Sequence, residues 1–234
     1  SNKIAKPRTT SQIIQMFFKS YNENTSILQL DDTHYSVCFE YQDISFSKAD
    51  YDVQESIFLK WGSYLHSFNF NVHIQVVKIG TPVKRVDYKK NYIYDESKLQ
   101  GNELRIGKEF NAQIENCLGN KENVSCDTRL ITISTKAESL DDAQDIFMQY
   151  QLRTEEKFKE LKSKIRRISI GERFVPLYNL FHTNLMVDEG ITDIIQYAKD
   201  NNLSIYDALA SKEDVSLREK NYISIGNKKF IRVM

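Results

Sequence analysis

Phosphate chemistry is the first question these residues raise. A phosphate-binding loop needs G-x4-G-K-[ST]. That spacing turns successive backbone amides onto one phosphate and brings a hydroxyl to magnesium. The nearest stretch here is Gly101-Asn-Glu-Leu-Arg-Ile-Gly-Lys-Glu109. It is one residue too long, ends in Glu where Ser or Thr is required, and follows no recognisable strand. The dinucleotide fingerprint G-x-G-x-x-G is absent as well. His34, His66, His73 and His182 form neither HExxH nor a Cys/His ligand pair, and they read as surface or internally bonded side chains. No G-x-S-x-G nucleophile elbow occurs. Asp31-Asp32 and Asp141-Asp142 read as acids of a turn and of a helix start. Acids could still meet in a cleft, as in a free-standing hydrolase, but spacing along the chain does not reveal it. No catalytic, cofactor-binding or metal-ligating residue is therefore assigned.

Two groups of cations remain. Lys84, Arg85, Lys89 and Lys90 lie among Tyr88, Tyr92 and Tyr94. Rings that stack on bases beside cations that track a backbone would suit single-stranded nucleic acid; a solvated amphipathic segment fits the same pattern. Lys162, Lys164, Arg166 and Arg167 fall at the end of a predicted helix, where cations meet the helix dipole favourably. The competing reading is a site for phosphate or an acidic partner. These eight residues are the candidate anion or partner patch.

Composition narrows the classes. Lys+Arg and Asp+Glu both number 32, so net charge is zero and a globally basic nucleic-acid binder is disfavoured. Only 3 Pro and 8 Gly argue against a disordered or fibrous chain. No apolar run approaches the ~18 residues of a membrane span. The opening Ser1-Asn-Lys-Ile-Ala-Lys-Pro-Arg8 has no apolar signal core, and Ser1-Asn2 without Met resembles the remnant of a cleaved tag. Cys38, Cys117 and Cys126 are odd in number without CxxC, which fits structural thiols in a reducing cytosol.

The elements that must position any site follow from periodicity. Residues 1–20 read as an N-terminal arm in which Ile13, Ile14, Phe17 and Phe18 pack on the body. Strands are predicted at 27–30 and, with alternating Tyr35, Val37, Phe39 and Tyr41, at 34–41, joined by a turn at Asp31-Asp32-Thr33. The alternation predicts a half-buried strand. A helix follows over 47–68, capped by Ser47, with Ile57, Trp61, Tyr64, Leu65 and Phe68 on its core face. Further strands are expected at 72–79 and 127–135, and a helix over 106–118. A long helix from Ser139 carries Phe147, Tyr150, Thr154, Phe158, Leu161 and Ile165 down one face. Gly171 breaks the chain before a shorter helix, 172–182; more helix fills 189–210. A hairpin turns at Gly226-Asn227, and the chain stops inside or just after its second strand. The expected fold class is α+β. It has a mainly antiparallel sheet in ferredoxin-like β-β-α-β-α-β order, helices on one face, a helical second half and a C-terminal β-hairpin. Residues 21–234 read as a single domain, divided into a sheet-containing half (21–135), a helical half (136–221) and the hairpin (222–234).

In serial order, several blocks resemble one family. Phe39-Glu-Tyr-Gln-Asp-Ile-Ser-Phe46 runs an aromatic strand into an Asp-Ile turn, the Trp61 helix follows, and Val72-His-Ile-Gln-Val76 comes next. Glu172-Arg173 and Leu177–His182, then Tyr222-Ile-Ser-Ile-Gly-Asn-Lys-Lys-Phe-Ile-Arg-Val233, continue the series. Together they are similar to the N-terminal domain of conjugative type IV secretion ATPases, closest to the type found in Gram-positive conjugative transposons. Departures are the missing Pro in Gln15–Phe18 and the poorly matching 84–122. The resemblance implies a bacterial, non-catalytic docking and assembly domain. It would tether the motor of its own chain to membrane channel components, on the cytoplasmic side and peripheral to the membrane. It also implies self-association in the full-length protein. ATP and magnesium are expected only in the motor domain beyond Met234. The alternative function is a nucleic-acid-binding module that contacts the transferred DNA.

Overall fold

Tyr35, Val37, Phe39 and Tyr41 lie on β3, His34–Tyr41, and the architecture is arranged around that strand. The computed structural model describes residues 10–82, 93–119, 125–182, 191–211, 215–216, 222–225 and 228–231. Its class is α+β. A six-stranded antiparallel sheet is built from β1 (Ser20–Asn22), β2 (Ile27–Gln29), β3, β4 (His73–Pro82), β5 (Ser125–Lys136) and β6 (Ile165–Arg167). The order is β1-β2-β3-β5-β4, and β6 also pairs with β3. Seven helices are described: α1 (Thr10–Ile14), α2 (Tyr51–His66), α3 (Gly101–Gly119), α4 (Leu140–Glu160), α5 (Ile170–Phe181), α6 (Ile194–Asp200) and α7 (Ile205–Leu209). Among the described residues no helix is long and apolar enough to cross a membrane.

The chain divides into two compact units: residues up to Val77 with those from Arg129 onward, and Lys78–Thr128. In the larger unit one core lies between the sheet and helices α2 and α4. Val37 opposes Ile133 and Phe39 opposes Ile131 across β3 and β5. Tyr64 of α2 and Ala143, Phe147, Tyr150 and Phe158 of α4 close over them. The heptad-like spacing of those α4 residues delivers one apolar stripe to the sheet, and Ser139 caps the helix by accepting from the Asp142 amide.

A second core joins Ile14 and Phe18 of the N-terminal arm to Leu28 and to helices α5, α6 and α7. Phe18 packs between Phe174 and Tyr206, with ring centroids 5.0 and 5.2 Å away. Helix α5 opens with a capping box between Ser169 and Glu172. The sheet therefore carries helix on both faces, not on one. Ser36 and Cys38, on the opposite side of β3 from Tyr35 and Val37, are buried as well. Arg173 of α5 donates to the Ser36 carbonyl and hydroxyl at 3.1 and 2.8 Å. Small side chains at 36 and 38 let α5 approach, which corrects the reading of β3 as half-buried.

Other boundaries differ for local reasons. β1 was not expected; it pairs with β2 over three residues. Helix α2 begins after Asp50, not Ser47. Residues 43–50 are instead tied down by Gln54, whose Nε2 donates to Phe46 O and Ala49 O. Helix α4 stops at Glu160. Ser163 N–H returns to Phe158 O and Lys162 N–H to Lys159 O, while Lys162 takes φ +56°. That is a Schellman turn with Lys in the left-handed position. It frees Ile165–Arg167 to pair with Phe39–Tyr41 as β6. Lys162, Lys164, Arg166 and Arg167 are thus not the last turn of a helix. Gly171 does not break the chain; it lies in the first turn of α5.

The smaller unit contains the end of β4, a 3-10 turn at Glu96–Lys98, α3 and the start of β5. Asn111 of α3 accepts from Tyr94 N at 2.9 Å and returns a bond to Tyr94 O at 3.0 Å. A separate three-stranded sheet pairs β7 (Val215–Ser216), β8 (Tyr222–Ile225) and β9 (Lys228–Ile231). Gly226 and Asn227, expected to turn a hairpin there, lie outside the described residues, as do Tyr88 and Tyr92.

Candidate functional site

The Asp43-Ile44-Ser45-Phe46 stretch leaves the end of β3 and folds against α2. Tyr41, Ile44 and Phe46 on one side, with Ile57, Phe58 and Trp61 on the other, line an apolar groove of about 260 Å³. Its floor is rigid. Trp61 and Tyr41 both pack edge-on against the buried Phe158, at 5.8 and 5.2 Å between centroids. Arg129 holds Asp43 through an ion pair at 3.0 Å. The groove continues along α2 as an uncovered apolar stripe, with Tyr51 77%, Phe58 69% and Leu65 38% exposed. These residues recur every seven positions, so they share one face of the helix. A side chain added at Gly62 beside them would meet nothing within 4 Å. Large apolar side chains gathered on one face, rather than scattered singly, mark a surface built for contact. The expected core face of α2 included Leu65 and omitted Tyr51 and Phe58. Their spacing of seven was the signal for a second stripe.

A cavity of about 520 Å³ and mixed polarity lies elsewhere in the same unit, lined by residues that include Thr25, Gln144, Met148, Gln151, Arg167 and Glu172. The Arg167 guanidinium donates to Thr25 O and, at 3.3 Å, to Gln151 Oε1. Glu172 accepts from Arg166 at 2.8 and 3.1 Å and from Ser169 N at 2.8 Å. Arg166 also reaches Glu40 at 2.6 Å.

Four of the eight candidate cations lie among the described residues, and their surroundings differ. Arg166 is committed to two carboxylates and Arg167 faces inward. Lys162 and Lys164 are exposed. Lys84, Arg85, Lys89 and Lys90 lie outside the described residues. The Gly101–Glu109 stretch is helical, so most of its amides bond along the helix instead of converging on a phosphate. Gly107 is packed there: a Cβ would sit 2.4 Å from Leu99 Cδ1. His34 Nδ1 contacts Asp31 at 2.8 Å, and the Asp31 carboxyl is lowered to about 2, first by the Thr33 amide and then by His34. His66 and His182 each place Nδ1 on the carbonyl four residues back, Gly62 and Tyr178, at 2.8 and 3.0 Å. Among the described residues no three His, Cys, Asp or Glu side chains gather as metal ligands.

The chain matches no protein-family model and no curated protein.

Proposed function

We propose that this chain is a docking and assembly domain of a conjugative DNA-transfer ATPase, one that holds the motor against the membrane channel and performs no catalysis itself. One observation carries the reading. The Asp43–Phe46 turn and the Trp61 helix, two of the serial blocks that carry the resemblance to that family, are the two walls of the apolar groove. At about 260 Å³ the groove is smaller than the roughly 300–1,000 Å³ of small-molecule sites and suits one or two side chains of a partner. With the exposed stripe of α2 beside it, it has the form of a hot-spot pocket with an apolar surround. In this reading the sheet is the ferredoxin-like core, β8 and β9 form the hairpin that leads to the motor, and ATP and magnesium bind only in that motor. The domain acts at the cytoplasmic face of the membrane, among channel components and copies of itself. The nucleic-acid alternative turns on Lys84, Arg85, Lys89 and Lys90, which lie outside the described residues.

Phe58→Asp in the parent ATPase tests the reading. Phe58 is 69% exposed, so the substitution leaves the core intact. Removing a buried anchor and adding a charge at a hot spot costs roughly 2–4 kcal/mol, about 30- to 1,000-fold in affinity. Conjugative transfer and recovery with the membrane fraction are expected to fall together, with abundance and ATP turnover unchanged. Unchanged transfer and membrane recovery would remove the proposal.

A further inference from the structure

The edge of β3 is shared by two strands that do not meet. β2 pairs at Leu28↔Ser36 and Gln29↔Tyr35, whereas β6 pairs from Phe39↔Arg167 onward. The gap lies where the chain enters β2 through Thr25-Ser26 and leaves β6 through Ile168-Ser169. Helix α4 supplies Gln144, Met148 and Gln151 beside it, and the result is the 520 Å³ cavity. That volume falls within the roughly 300–1,000 Å³ of small-molecule sites.

Its wall carries one uncompensated cation. Both acceptors of the Arg167 guanidinium are neutral, and no carboxylate among the described residues pairs with it. Glu172, in the same wall, is neutralised by Arg166. Burial lowers the Arg167 pKa, and no neighbouring charge opposes that. Arg167 Nε and Thr25 Oγ1 make no hydrogen bond among the described residues, which leaves the bonding of the guanidinium incomplete, although both atoms are closed to solvent in the cavity. Folded proteins rarely leave such groups unpaired. Ser26, at the rim, adopts φ +52°, a conformation costly for a residue with a Cβ and common at ligand sites. A guanidinium without a counter-charge, ringed by hydroxyls and amides, is suited to an oxyanion, because charge-assisted bonds to oxyanions are its strongest.

We propose that this cavity binds a small polar molecule bearing a carboxylate or phosphate. The Arg167 guanidinium would engage the oxyanion, and Ser26 and Gln144 would take the remainder. The site is independent of the docking groove and stands whether or not that groove has a partner.

Amide chemical shifts of the full chain test this during titration with sodium phosphate and with sodium acetate, ionic strength being held by sodium chloride. Saturating shifts at Thr25, Ser26, Gln151 and Ser169 are expected with one or both oxyanions and not with chloride. Which anion saturates assigns the group. Arg167→Gln is expected to weaken binding about tenfold or more, the loss of a charge-assisted bond. Gln144→Glu leaves Arg167 in place and alters an exposed side chain, so it does not depend on tolerance of a buried change. Its fixed carboxylate in the cavity wall repels an entering anion and is expected to weaken binding severalfold. Lys164→Gln, exposed and outside the cavity, is expected to change it less than about twofold. Shifts that grow linearly and equally with chloride would overturn the proposal. So would an affinity that neither Arg167→Gln nor Gln144→Glu changes.

Discussion

Lys162 closes helix α4 at φ +56°, where a Cβ costs about 1 kcal/mol relative to glycine. Lys162→Gly should therefore raise stability by about that amount, read as a higher urea midpoint with an unchanged slope. Tyr64 makes a pH prediction. It is buried, its hydroxyl meets Thr154 Oγ1 at 3.1 Å, and burial pushes its pKa from 10 up to about 12. The folded state keeps the phenol proton after the unfolded chain has lost it. The contribution is thus fully present below pH 10 and is lost as pH rises toward 12. Two pH units amount to something on the order of 2–3 kcal/mol. Tyr64→Phe should remove that part of the alkaline slope in denaturation curves, while other groups titrate as before. Ser36 gives a third test. Ser36→Ala takes away a hydroxyl acceptor of the largely desolvated Arg173 and should cost about 1–3 kcal/mol in equilibrium unfolding. None of these roles was legible locally. Arg173 and Ser36 are 137 positions apart, and Arg167 meets Thr25 across 142.

Strands and helices with a sustained period were legible. β3, β4, β5 and α2 to α5 occur close to where the apolar spacing puts them. β6 was not, because Ile165-Arg-Arg167 has three residues and Ile165 happens to extend the apolar stripe of α4 in register. What ends the helix is a turn geometry, Lys162 in the left-handed region, that no residue type there announces. Occupancy of both faces of β3 was hidden for a related reason: Ser36 and Cys38 read as polar or neutral positions until Arg173 is seen above them. The junction of α5 and α6 yields a prediction at this scale. A Cβ on Gly171 would lie 1.9 Å from Asp193 Oδ1, and Asp193 caps α6 by accepting from Gln196 N. Gly171→Ala should destabilise by roughly 1–3 kcal/mol through overpacking and loss of the cap. In an Asp193→Ala background the same change should cost less, because the clashing carboxylate is gone. A double-mutant cycle measures that coupling, and full additivity would count against the clash.

At the scale of the molecule, the groove and the cavity came out of the sequence unequally. The groove's walls were visible as the aromatic end of β3 and the Trp61 helix, although its outward use of Phe58 was not. The cavity exists only because two distant segments share one strand edge, and it had no local signature. Zero net charge leaves little net field for long-range steering. Trp61, in the groove wall, is the single tryptophan of the chain. Its emission therefore comes from one place, partly open to solvent. A partner that enters the groove expels water from the indole and should shift the emission to the blue. An oxyanion in the other cavity should leave the spectrum where it was. The protein's own light thus separates the two proposed sites in a cuvette, with no label attached.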